Sequence, residues 1–66
     1  MIKLTVNGLA TDVDAATVAE LVATLGLAGK RIAVERNGEI VPRSSHAAHE
    51  LKDGDTVEII HAVGGG

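Results

Sequence analysis

The sequence predicts an α+β domain: a mixed sheet of four to five strands curled around one main helix, in the order ββαββ. Three observations point to it. Short runs of alternating apolar and polar residues lie on both sides of the chain's centre. Two Asn-Gly pairs, Asn7-Gly8 and Asn37-Gly38, each sit between such runs. One stretch between them carries apolar residues at helical spacing.

Ile2, Leu4 and Val6 alternate with Lys3 and Thr5, the period of a half-buried strand. Asn7-Gly8 accepts the positive φ angles of a type I′ turn, so a second strand over Leu9–Val13 completes a hairpin. Thr17 and Glu20 read as a capping box. The Thr17 hydroxyl can accept from the Glu20 amide, and the Glu20 carboxylate can reach back to the Thr17 amide. Val18, Leu21, Val22 and Leu25 share one face of a helix that ends where Gly26 can supply a left-handed cap. At about eight to nine residues this helix is too short to stand alone in water, so it must lie on the sheet. Ile32–Arg36 and Glu39–Val41 form the second hairpin around Asn37-Gly38, and Pro42, with no N–H to donate, ends the pairing. Residues 43–50 read as a polar loop with one helical turn, and 53–55 as a turn. Thr56–His61 is the last strand, with Val57 and Ile59 on the core face and Glu58, Ile60 and Ala62 facing out.

Strand pairs separated by a helix, joined by short connections, leave few topologies. The β-grasp, whose first and last strands lie side by side and leave the C-terminus free at a sheet end, fits best, though periodicity alone does not select it over another small α+β fold. The expected organisation is one domain over residues 1–62 and a flexible glycine tail over 63–66.

Composition narrows the function. The chain has 66 residues, no cysteine and no aromatic residue, so disulfides and thiolate metal sites are out and the core is aliphatic. A net charge of −3 disfavours nucleic acid or an anionic membrane surface as the main partner and is compatible with a basic protein partner. No apolar run approaches a membrane span and no signal peptide opens the chain, so a cytoplasmic protein is expected. His46, His49 and His61 lack a cysteine or a suitably spaced carboxylate, and are read as solvent-facing rather than as metal ligands. Arg43 is read either as a solvated arginine or as one that meets a partner or an acidic loop. No Ser/His/Asp or Cys/His arrangement suggests a free-standing enzyme, and a chain this small has little room for a buried pocket.

The chain ends Val63-Gly64-Gly65-Gly66. Three terminal glycines arise by chance in about 0.03% of chains, and composition alone leaves open both a plain flexible tail and a working one. Without Cβ atoms such a tail can thread a narrow channel and approach a reagent closely. The four residues after Ala62 reach roughly 13–14 Å when extended, enough to carry a carboxylate into another protein's active site. A carboxylate is a poor acyl donor until activated, which suits a carrier loaded by an enzyme.

The chain resembles the ThiS family of thiamine-biosynthesis sulfur carriers, ubiquitin-like β-grasp proteins. The resemblance lies in the strand and turn at residues 1–8, the helix start at 17–21, the stretch at 32–44, the turn at 53–55 and the Gly65-Gly66 end. The segment Asn-Gly-Glu-Ile-Val-Pro-Arg-Ser, residues 37–44, is its most specific part. The resemblance implies that Gly66 is the modified residue, with no cofactor bound by the carrier itself. An E1-like adenylating enzyme joins the terminal carboxylate to AMP, using ATP and Mg. A persulfide sulfur from a cysteine desulfurase or related protein displaces AMP to leave a thiocarboxylate, and thiazole synthase takes the sulfur. Gly64 departs from the simplest two-glycine pattern. Ile60, Ala62 and Val63 beside the tail are the expected docking spot for partners, with Leu9 a weaker candidate for the same surface. The alternatives are a small subunit of the molybdopterin-synthase type, another ubiquitin-like sulfur carrier, or a non-covalent ubiquitin-like binding module.

Overall fold

The structure, a computed structural model, describes residues 1–61. The expected tail at 63–66 and the docking candidates Ala62 and Val63 lie outside the described residues. The elements are β1 (Ile2–Val6), β2 (Leu9–Val13), α1 (Val18–Thr24), β3 (Ile32–Arg36), β4 (Glu39–Val41), a 3₁₀ turn (Arg43–Ser45) and β5 (Thr56–His61). The five strands form one mixed sheet in the order β2-β1-β5-β3-β4. β5 is the central strand, parallel to β1 and antiparallel to β3, so the hairpins β1–β2 and β3–β4 flank it. The mixed sheet with neighbouring first and last strands is the β-grasp arrangement that the sequence predicts.

Both Asn-Gly turns have positive φ at each central residue, 49° and 83° at Asn7-Gly8 and 50° and 86° at Asn37-Gly38, as type I′ geometry requires. Each asparagine also does a second job. The Asn7 Oδ1 accepts from the Ile59 amide (2.7 Å), and the Asn37 Oδ1 accepts from the Thr56 amide (2.9 Å). The turn side chains thus clamp both hairpins onto β5, and Asn7 continues the β1–β5 ladder past the end of β1.

α1 is shorter than the eight to nine residues expected, at seven. Its four leading amides are all satisfied, as a buried helix start demands. The Glu20 amide donates to the Thr17 hydroxyl (3.2 Å) and the Leu21 amide to the Thr17 carbonyl, while Val18 and Ala19 donate to the carbonyls of His49 and His46. The capping box differs from expectation in one arm. The Glu20 carboxylate accepts from the amide of Ala16 (2.9 Å), not from that of Thr17. Thr17 is extended and bridged to Glu50, and the Ala16 amide is the donor left facing Glu20. At the far end Gly26 (φ 75°) makes a Schellman turn: its amide donates to Ala23 and that of Leu27 to Val22. This reversal leaves Leu25 at the rim, 37% exposed, so it is not the core residue that its spacing suggested. Leu27 packs on the core instead.

The core lies between α1 and one sheet face. Val18, Leu21 and Val22 of the helix meet Leu4, Val6, Val34, Val57 and Ile59 of the sheet, with Leu51 closing one side. Val57 and Ile59 face inward as expected. Among the described residues no helix is long and apolar enough to cross a membrane.

Candidate functional site

β5 places the expected site. Its last residue, His61, pairs with Ile32 at the end of β3, and the chain then continues for five residues to Gly66. Extended, five residues span at most roughly 16–18 Å. Gly64, Gly65 and Gly66, the residues expected to carry the chemistry, lie outside the described residues.

Ile60 is described. It lies on the sheet face opposite α1, is 49% exposed, and stands directly across from Ala33. The next outward-facing pair is Glu58 opposite Glu35, and Ile40 of β4 lies across from Glu35. The outer face therefore combines exposed aliphatic side chains with two carboxylates placed directly opposite each other. Like charges so placed destabilise a sheet. Leu9 does not join this surface. It pairs with Val6, so it lies on the helix side of the sheet, at the hairpin end and 71% exposed.

The histidines divide. His46 is not solvent-facing: only 9% exposed, it donates from Nε2 to the Val41 carbonyl (3.2 Å), and its own carbonyl accepts from Ala19. Its apolar neighbours and these two bonds explain the burial. His49 is half-buried and meets the Arg36 guanidinium at 3.3 Å; the guanidinium has only donors, so His49 Nε2 accepts. His61 is exposed on β5. Among the described residues no three His, Asp or Glu side chains are grouped to hold a metal ion. Arg43 donates to the Lys30 carbonyl (2.6 Å) rather than to an acidic loop.

The best-connected polar group is Asp55, which reads in the sequence only as part of a turn. Its carboxylate accepts from Arg36 Nε (2.7 Å) and Nη2 (3.3 Å), from the Asn37 amide group (3.0 Å) and from the Lys52 main-chain N–H (2.8 Å). Burial pushes this carboxyl up, but the hydrogen bonds from Arg36, Lys52 and Asn37 outweigh it and hold the group below the ordinary carboxylate range. The bond to Asp55 likewise raises Arg36. All these partners are protein groups that tie the β3–β4 turn to the start of β5, so the network braces the strand that leads to the tail. The paired signals in the sequence were Arg36-Asn37 at one turn and Asp55 at another; only the fold brings them together.

The ThiS family profile matches residues 4–66. A thiazole synthase of Paramagnetospirillum magneticum is 46% identical over 65 residues, which is 97% of this chain and 20% of that protein. The chain spans about a fifth of the length of the two thiazole synthases it matches. The sulfur carrier protein ThiS of Bacillus subtilis is 43% identical over 53 residues, 80% of each chain. The crystal structure of a thiamine biosynthesis protein (ThiS) from Geobacter metallireducens superposes with a TM-score of 0.83 at 42% identity, covering 98% of this chain and all of that one. With the profile, a sequence relative of similar length and the β-grasp architecture in agreement, this chain belongs to the ThiS family.

Proposed function

We propose that this chain is a sulfur carrier protein of thiamine biosynthesis, a protein substrate rather than an enzyme, which bears sulfur on the terminal carboxylate of Gly66. The observation that carries the reading is the ThiS family match over residues 4–66 on a β-grasp sheet whose central strand, β5, leads toward the glycines. Membership of the ThiS family and similarity to the Bacillus subtilis carrier support it.

The chemistry follows from what a carboxylate lacks. Its oxygen is a poor leaving group, so an E1-like enzyme with ATP and Mg converts it to the acyl adenylate, releasing pyrophosphate. A persulfide sulfur, a better nucleophile than a carboxylate oxygen, attacks the acyl carbon and AMP departs, leaving an acyl disulfide; a second thiol then attacks its S–S bond, forms a disulfide with the donor's sulfur and releases the thiocarboxylate. Cysteine desulfurase or a related protein supplies that sulfur, and thiazole synthase consumes the thiocarboxylate. The chain's own residues contribute reach and access: Gly64 and Gly65 present no side chain, and the Ile60 face gives each partner a grip next to the tail. The matches to thiazole synthases support that enzyme as the acceptor.

Deleting residues 64–66 tests the reading, since removal of Gly66 alone would leave a Gly64-Gly65 end. In a reconstituted system with activating enzyme, sulfur donor and thiazole synthase, the truncated chain should yield no thiazole while keeping its fold. Thiazole formation at the full-length rate would refute it.

A further inference from the structure

The other side of the molecule carries a second surface. A cleft of about 410 Å³ opens between α1 and the segment after β4. Ala19, Val22, Leu27 and Ile32 supply its aliphatic floor, and Lys30 and Arg43 stand on its walls. Three hydrogen bonds hold those walls together: Arg43 Nη2 to the Lys30 carbonyl (2.6 Å), His46 Nε2 to the Val41 carbonyl (3.2 Å) and the Ala19 amide to the His46 carbonyl (3.0 Å). Arg43 and Ser44 of the 37–44 segment thus help build this cleft; the chemistry at Gly66 makes no other use of them.

We propose that this cleft is a second docking site, one that takes an acidic segment with an aliphatic anchor from a protein partner. Charge selects the occupant. The chain as a whole has nine acidic and six basic residues, yet among the described residues no Asp or Glu lines the cleft and both charged lining residues are cations. The Arg43 guanidinium is already oriented by the Lys30 carbonyl, so its remaining N–H groups are presented in a fixed fork suited to a carboxylate. The aliphatic floor suits a leucine- or valine-sized side chain. The opposite sheet face, with Glu35 and Glu58, selects for the reverse charge. One small carrier therefore offers surfaces of opposite sign, which lets partners of different chemistry grip it differently.

The site is also well placed. Ile32, in the cleft floor, pairs with His61, the last described residue. A partner seated here holds the carrier within the roughly 16–18 Å reach of the segment ending at Gly66. This placement argument rests on the carrier reading; the binding itself does not, and the experiment reads binding without sulfur transfer.

The test is an NMR titration of the full ¹⁵N-labelled chain with a Glu-Leu-Glu-Leu-Glu-Leu-Glu peptide, and with its Gln-for-Glu counterpart. The acidic peptide should shift the amides of Ala28, Gly29, Lys30 and Ala47 and leave those of Glu58 and Ile60 in place. Lys30→Glu should weaken binding about fivefold, as should raising the salt by a comparable screening step. That variant spares the wall, because Arg43 bonds the main-chain oxygen of residue 30. No shift at millimolar peptide, equal binding of the Gln peptide, or shifts confined to the outer face would overturn the proposal. So would cleft amides that move on simple dilution, which would make a second copy the occupant, or on removal of residues 63–66, which would make the chain's own end the occupant.

Discussion

Replacing Asp55 by asparagine probes the brace beneath the site most sharply. The carboxylate accepts four hydrogen bonds from three residues, two of them from the Arg36 guanidinium. An amide of the same shape keeps one acceptor and turns an NH₂ toward these donors. Breaking a fully buried ion pair costs about 3–5 kcal/mol, and single hydrogen bonds to charged groups about 1.5–3 kcal/mol. The Arg36 side chain is 22% exposed and can recover some hydration, against 8% for Asp55, which brings the expected loss to about 2–3 kcal/mol. A chain of 66 residues has a total stability of only roughly 3–10 kcal/mol, so this is a large share. Urea denaturation at neutral pH reads it. With m near 1 kcal/mol/M, the midpoint should fall by about 2–3 M at constant m. A loss below about 0.5 kcal/mol, or a change confined to m, would show that the Asp55 carboxylate does not brace β5.

Other predictions follow from the same geometry. Because the Asp55 carboxyl is held below its unfolded value, its contribution is fully present above the unfolded pKa of about 3.9 and fades as pH falls through the lower folded value. The wild-type chain should therefore lose stability on acidification faster than Asp55→Asn does, and parallel acid profiles would contradict this. Thr17→Ala removes the acceptor for the Glu20 amide and should cost about 1 kcal/mol by thermal or urea unfolding. Glu58→Gln relieves the carboxylate facing Glu35 and should stabilise the free chain by about 0.2–1 kcal/mol, most clearly at low salt; a destabilised variant would show that the pair is not repulsive. Ile60→Asp should slow adenylation by the activating enzyme while leaving the unfolding midpoint nearly unchanged, and normal activation kinetics would remove Ile60 from the docking surface.

The parts of this fold legible in the sequence are those set by local rules. The Asn-Gly pairs specify type I′ turns because few residues tolerate positive φ, and Gly26 marks a helix end for the same reason. The alternation of Val57 and Ile59 with Glu58 and Ile60 fixes which face of β5 is buried. What escaped depends on contacts between distant segments. His46 is polar, and only the approach of α1 and β4 shows that it is buried. Asp55 sits in an ordinary-looking Asp-Gly-Asp turn, and its four donors come from residues as far as 19 positions away. Leu25 follows the helical spacing but falls where the Schellman turn leaves the core. Leu9 shares an exposed apolar side chain with Ile60, but only the register with Val6 shows that it lies on the other face. For the site, the terminal glycines are visible in the sequence, while the cleft beside Lys30 and Arg43 depends on three segments meeting.

The central claim is that the Gly66 carboxylate is the group that is activated and exchanged. Intact mass spectrometry of the full chain, incubated with its activating enzyme, ATP, Mg and a persulfide donor, addresses it directly. The account predicts a gain equal to the difference between one sulfur and one oxygen, localised to Gly66 by fragmentation and dependent on ATP. An unchanged mass under conditions where the same enzyme loads another ThiS protein, or a modification placed elsewhere in the chain, would contradict it.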